Sequence, residues 1–142
     1  MVATKSAIHG DRKKILGFRE EEKPVALQVG GSDKNELAEV AKLAEQFGYD
    51  EININLGCPS KKVQKNSFGA CLMKEPDLVA ECINNMINSC KIPVTAVTGI
   101  LHELIMLLIH SATKSGSFIK HAPNEFFCTF LLGQPKLIFI SS

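Results

Sequence analysis

The sequence predicts an α/β fold built on a parallel sheet, and three observations carry that expectation. Pro24-Val-Ala-Leu-Gln-Val29 is a short, mostly apolar run closed by Gly30-Gly31, the composition of a strand buried on both faces. Leu37, Val40, Ala41, Ala44 and Phe47 then recur at helical spacing, with Gly48 placed to end the helix. Glu51-Ile-Asn-Ile-Asn55 follows with the period of two that marks a strand. Strand, helix and strand with short links make a βαβ unit, whose crossover is right-handed.

The remaining elements fall around that unit. Residues 1–9 mix small and apolar side chains and read as the end of a strand or as a loop. Residues 10–23 hold Asp11, Arg12, Lys13, Lys14 and the run Arg19 to Lys23, a solvated connection rather than a binding patch. Ser32 or Asp33 is placed to cap the helix, with Glu36 in its first turn. Phe68 to Met73 is small and apolar and should pack beneath a long loop. Pro76 opens a second helix, whose stripe of Leu78, Val79, Cys82, Ile83, Met86 and Ile87 puts Cys82 in the core. Pro93 to Thr98 reads as a third strand, and Phe118 to Ala122 as a fourth with His121 at its end. Residues 100–110 are apolar with weak periodicity, 111–117 are a polar break, and 126–140 receive no element.

A chain of 142 residues holds one modest domain with a real core. A net charge of +1 means that any RNA contact must be local. Cys58, Cys71, Cys82, Cys90 and Cys128 are odd in number, irregular in spacing and free of any C-x-x-C pair. That pattern points to reduced thiols in a cytoplasmic protein, with no disulfide framework and no structural metal. The first residues lack the apolar centre of a signal peptide. The run from Ile100 to Ile109 contains His102 and Glu103 and is too short to span a membrane.

The candidate chemistry sits where the second strand stops. Gly57 permits a tight turn and Pro59 fixes φ, so Leu56-Gly-Cys-Pro-Ser60 holds a thiol just past the strand's C-terminal end. In α/β proteins that end carries function. The plain alternative is a small apolar side chain filling a gap. Polar Asn55 and the Gly/Pro frame favour chemistry. Gln28 is the odd polar residue in its strand, bonded to backbone or aimed at a ligand. A lone His at a strand end, such as His121, is usually structural. Lys61, Lys62 and Lys65 make either a solvated loop or a phosphate-contacting rim. Parallel strands put their ends on one face, so Gln28, Asn55 with Cys58, and His121 would converge on one site.

Glu22 to Ser32, Gly48 to Ser60, Val63-Gln64 and Phe68 to Met73 together resemble the tRNA-dihydrouridine synthases, most closely the A-type branch. The likeness runs from about Met1 to Thr95, leaving residues 96–142 divergent. It implies a partial TIM (β/α)8 barrel of about four βα units, carrying FMN. It implies reduction of the uridine C5=C6 bond in the tRNA D-loop, with NADPH reducing the flavin and a cysteine protonating C5. By resemblance Cys58 is the proton donor, Asn55 holds the flipped uracil, and Gln28 and His121 contact the flavin. The partner is tRNA, with no membrane and no metal, and the intact family is monomeric.

The departures shape a second expectation. Val97 stands where the family has a flavin-contacting lysine, and residues 96–117 match nothing familiar. Phe118 to Ala122 again resembles the family's histidine strand, as a pair of compensating frameshifts would produce. A full barrel needs roughly 250 residues. The first strand, the late phosphate-binding strands and the helical tRNA-binding domain are therefore expected to lie outside this chain. The alternative is an inactive truncated or frameshifted fragment, colourless and without action on tRNA. A weaker option is a flavin barrel reductase acting on a free pyrimidine.

Overall fold

The structure is a computed structural model and describes residues 1–65, 67–98 and 128–132. Strands β1 (Val2–Ala3), β2 (Ala26–Gly30), β3 (Glu51–Asn55), β4 (Val94–Thr98) and β5 (Cys128–Leu132) lie side by side in chain order. The first four run parallel. Helices α1 (Thr4–His9), α2 (Arg12–Leu16), α3 (Lys34–Gln46), α4 (Lys61–Gln64) and α5 (Pro76–Ile87) fill the links between them. Parallel strands added in sequence order, each returned by helix, are successive βα units of a partial TIM barrel. The predicted βαβ unit is present, with β3 at the expected residues.

The strands bury one alternating set of side chains against the helices. Leu27 and Val29 of β2, Ile52 and Ile54 of β3, and Val94 and Ala96 of β4 belong to one apolar cluster. Leu37, Val40, Ala41 and Ala44 of α3 and Val79, Cys82, Ile83 and Met86 of α5 complete it. These are the stripes read from helical spacing, and α3 packs directly on α5. Because strand side chains alternate, Gln28, Glu51, Asn53, Asn55, Thr95 and Val97 fall on the opposite face. That face is the barrel interior.

Local chemistry sets the ends of α3. Of the two candidate caps it is Asp33 that acts, accepting from the backbone N–H of Asn35 at 2.8 Å and of Glu36 at 3.0 Å. Those two bonds hold its carboxyl below the usual value. Gly48 takes φ +84° just after the helix and donates its N–H to the Glu45 carbonyl at 3.1 Å. Glycine adopts that conformation without steric cost.

Residues 1–9 end a strand as expected at β1 but then form helix α1, which was not assigned, and three further stretches differ from the expectations. Residues 10–23 are more than a solvated connection. Their charged side chains are mostly exposed, but Leu16 is fully buried and accepts a hydrogen bond from the Tyr49 hydroxyl at 2.9 Å. Phe18 adds a tilted ring contact to Tyr49 at 4.7 Å. A charge-dominated reading missed two apolar anchors spaced by a single glycine. The loop after Cys58 folds into α4 and a 3-10 turn at Gly69–Lys74, which buries Gly69 and Leu72 and follows buried Phe68. Finally, β5 arises where no element was assigned, and it pairs antiparallel with β4 from Val94↔Leu132 to Thr98↔Cys128. The expected strand at 118–122 lies outside the described residues. Among the described residues, no helix is long and apolar enough to cross a membrane.

Replacing the α3 cap isolates its contribution. Asp33→Ala should cost about 1 kcal/mol in urea unfolding near neutral pH. The folded-state pKa of Asp33 is lowered, so its stabilisation is present above the unfolded value and is lost as pH falls through the folded one. The gap between wild type and variant should therefore close in strong acid.

Candidate functional site

β3 hands the chain to the thiol loop through a chain of backbone and side-chain bonds. Leu56 donates its N–H to the Val97 carbonyl at 2.8 Å, which keeps β3 paired to its last residue. The Asn55 side-chain oxygen then accepts the Cys58 backbone N–H at 3.0 Å. On the other side, the Cys58 carbonyl accepts the Ala70 N–H at 3.0 Å. Cys58 is thus clamped at both its donor and its acceptor. It is half-buried, and its sulfur makes no hydrogen bond among the described residues.

Gly69 makes the second clamp possible. It takes φ +76°, and a Cβ there would stand 2.7 Å from Val63 Cγ1 and 2.9 Å from the Cys58 carbonyl oxygen. Only glycine lets the 3-10 turn approach the thiol loop so closely. The sequence reading placed Phe68 to Met73 beneath the loop but did not foresee that Gly69 and Ala70 hold Cys58 itself. Their one signal was a glycine in a run of small residues.

The interior face carries a row of polar contacts one layer below. In register, Gln28 pairs with Asn53, Asn53 with Thr95, and Asn55 with Val97. Gln28 Nε2 donates to Asn53 Oδ1 at 3.0 Å, and Asn53 Nδ2 donates to Thr95 Oγ1 at 2.7 Å. Thr95 in turn donates its hydroxyl to Glu51 Oε1. Glu51 is 4% exposed, and burial pushes its carboxyl above the usual value, partly offset by the Thr95 hydroxyl.

These contacts decide what each predicted residue can offer. Gln28 is half-buried and bonds neither of the expected ways first: its amide NH2 is held by Asn53. Its carbonyl oxygen has no partner among the described residues. Asn55 uses its carbonyl oxygen on the Cys58 N–H, so its NH2 is the group left for a ligand. Gln28 lies on β2 and Asn55 on the neighbouring β3, with Cys58 in the loop three residues beyond Asn55. Val97 sits beside Asn55 on the same face and puts an aliphatic group there. His121 lies outside the described residues.

A cleft of about 510 Å³ opens beside this face at the ends of β1 and β2. Thr4, Lys5, Gly31, Asp33, Lys65 and Phe68 are among its walls. Gln28, Asn55 and Cys58 do not line it. Phe68 belongs to its wall and also lies over the end of β2, its ring 2.5 Å from where a Gly30 Cβ would be. Lys61 and Lys62 are exposed, and only Lys65 of the three loop lysines reaches the cleft.

Among the other described cysteines, Cys71 is half-buried as Cys58 is, and its thiol donates to the Phe68 carbonyl at 3.2 Å. Cys82 is 1% exposed, and burial pushes its thiol up to about 11. Cys90 is raised in the same direction by burial. Among the described residues, no group of three or more His, Cys, Asp or Glu is arranged to hold a metal ion.

Parallel strands returned by helices, with a thiol and the Asn55 amide at the end of β3 and the Gln28 amide one layer below, define a protein of the α/β-barrel class. Residues 1–103 match the family model for dihydrouridine synthase (Dus), and the chain belongs to that family. It is 55% identical over 95 residues to a tRNA-dihydrouridine(20/20a) synthase of Synechocystis sp., covering 67% of this chain and 28% of that protein. It is 58% identical over 100 residues to the Vibrio cholerae protein of the same name, covering 70% and 30%. A Shewanella oneidensis protein of that name matches at 48% over 130 residues, covering 86% and 38%. The chain therefore spans well under half the length of these curated relatives.

Thiol labelling separates the two kinds of cysteine. At about pH 8 roughly one Cys82 in a thousand is thiolate, given its raised pKa. Iodoacetamide followed by peptide mass spectrometry should find Cys58 modified at least ~10-fold faster than Cys82, because burial removes both access and thiolate from the latter. Equal rates would contradict the described exposure of Cys58.

Proposed function

We propose that this chain carries the base- and flavin-facing part of an FMN-dependent tRNA-dihydrouridine synthase, which reduces the uridine C5=C6 bond. The observation that supports the reading most is Asn55 holding the Cys58 loop at the end of β3, in a member of the dihydrouridine synthase family. The names of the similar proteins support tRNA as the substrate.

The residues present fit a flavin ring edge. The Gln28 carbonyl oxygen is an acceptor on the interior face, suited to a ring imide N–H. The flavin, reduced by NADPH, supplies the hydride when bound. The chain supplies the rest. Asn55 offers its NH2 to a pyrimidine carbonyl, which orients the base. Cys58, held by its backbone at two points, delivers a proton to C5 as a general acid. The target base leaves its stack to reach a pocket at the barrel mouth. Lys65 and its neighbours Lys61 and Lys62 suit backbone phosphates, which need positive charge without base reading.

Val97 favours a second reading, in which the chain as given is a catalytically silent fragment. An isopropyl group beside Asn55 cannot donate to a flavin as a lysine does. One experiment separates the two. The chain is incubated with FMN, NADPH and unmodified tRNA, and dihydrouridine is measured by mass spectrometry. The synthase reading expects bound yellow flavin that NADPH bleaches. It also expects a fall of about 100-fold or more in dihydrouridine for Cys58→Ala, with flavin bleaching retained, as for loss of a general acid. A colourless protein with no product would overturn it in favour of the silent fragment.

A further inference from the structure

The polar row on the interior face has a direction. Gln28 donates to Asn53, Asn53 donates to Thr95, and Thr95 donates to Glu51. Every donor points from β2 toward the carboxyl group of Glu51. The row is deep: Asn53 is 5% exposed, Thr95 is fully buried and Glu51 is 4% exposed.

Thr95 sets that direction. A hydroxyl has one proton to give, and Thr95 gives it to Glu51. Its oxygen must therefore accept from Asn53, which turns the Asn53 NH2 toward β4 and its carbonyl oxygen toward β2. Gln28 can meet that oxygen only with its own NH2. Its carbonyl oxygen is then the end left without a partner among the described residues. A primary amide is nearly symmetric in shape, so packing alone does not choose between its two ends. A buried acceptor at the far end of the row does.

We propose that Glu51 and Thr95 are positioning residues that act through Asn53 to present the Gln28 side-chain oxygen, as a fixed acceptor, to the imide N–H of a ring bound at the barrel mouth. The identity of the ring rests on the flavin reading above, whereas the fixing of the amide does not. Glu51 touches neither ring nor base. Its role is to decide which end of an amide on the neighbouring strand faces the ligand.

The test uses the full chain and two substitutions at Thr95. Thr95→Val keeps the shape and removes the hydroxyl, and Thr95→Ser keeps the hydroxyl. Side-chain amide NMR of Gln28 is read first, without flavin. In wild type and Thr95→Ser the Gln28 NH2 protons should exchange about tenfold more slowly than those of an exposed glutamine, the worth of one neutral hydrogen bond. In Thr95→Val that protection should disappear, with the backbone shifts of β2 and β3 retained. Titration with FMN and with N3-methyl FMN, which lacks the imide N–H, is read second. Wild type and Thr95→Ser should prefer FMN by about tenfold, again one hydrogen bond, and Thr95→Val should show no preference.

A mobile Gln28 amide in wild type, or an equally protected one in Thr95→Val, would overturn the proposal. If Thr95→Val does not fold, the wild-type and Thr95→Ser amides still decide it. Protection that depends on the hydroxyl, with no flavin bound by any variant, would uphold the positioning row and overturn the flavin reading instead. Flavin binding with no discrimination in wild type would overturn the presentation of the Gln28 oxygen.

Discussion

Every residue of β3 is buried, yet Glu51, Asn53 and Asn55 are polar. A buried polar group without a partner costs about 1–3 kcal/mol, so this strand is tolerable only if each is satisfied. The structure meets that demand in two ways. Glu51 and Asn53 bond across the sheet to Thr95 and Gln28, and Asn55 bonds forward to the backbone of its own thiol loop. The remainder follows from that one demand. Cys58 stands where it does because Asn55 needs a donor. Gln28 offers an oxygen because Asn53 takes its NH2. An apolar face toward α3 and α5 and a polar face toward the interior give a wall that is rigid without being inert.

Much of the fold was legible because it rests on periodicity. The alternation in Glu51 to Asn55 gave the strand at its true bounds, and the α5 stripe placed Cys82 in the core, where it lies. The same alternation concealed something. A strand with polar residues on every second position usually shows one face to water, and here neither face does. No local signal distinguishes a wet polar face from a dry one lined by partners on β2 and β4. Leu16 and Phe18 were hidden in a similar way, by the charges around them.

The site was legible in part. The sequence put Gln28 in one strand, Asn55 at the end of the next and Cys58 in the loop beyond it, and the structure has them in those positions. What each atom of those side chains does was not legible. The use of the Asn55 oxygen on a backbone N–H and the clamp through Gly69 depend on contacts between segments distant in sequence. So does the role of Thr95, an ordinary strand residue until Glu51 and Asn53 are seen on either side of it. After β4 the described chain leaves the all-parallel pattern, and Val97 interrupts the interior face with an aliphatic group. The polar wall thus ends at one register position, where Val97 stands opposite Asn55.

The central claim is that the interior face of β2 and β3, rather than the neighbouring cleft, is where a flavin ring binds. Soaking or co-crystallising the chain with oxidised FMN tests it most directly. The account predicts the ring edge within hydrogen-bond reach of the Gln28 side-chain oxygen, with the Cys58 sulfur facing the substrate side of the ring. A ring seated instead between Lys5, Lys65 and Phe68, with the Gln28 oxygen turned onto protein, would contradict it.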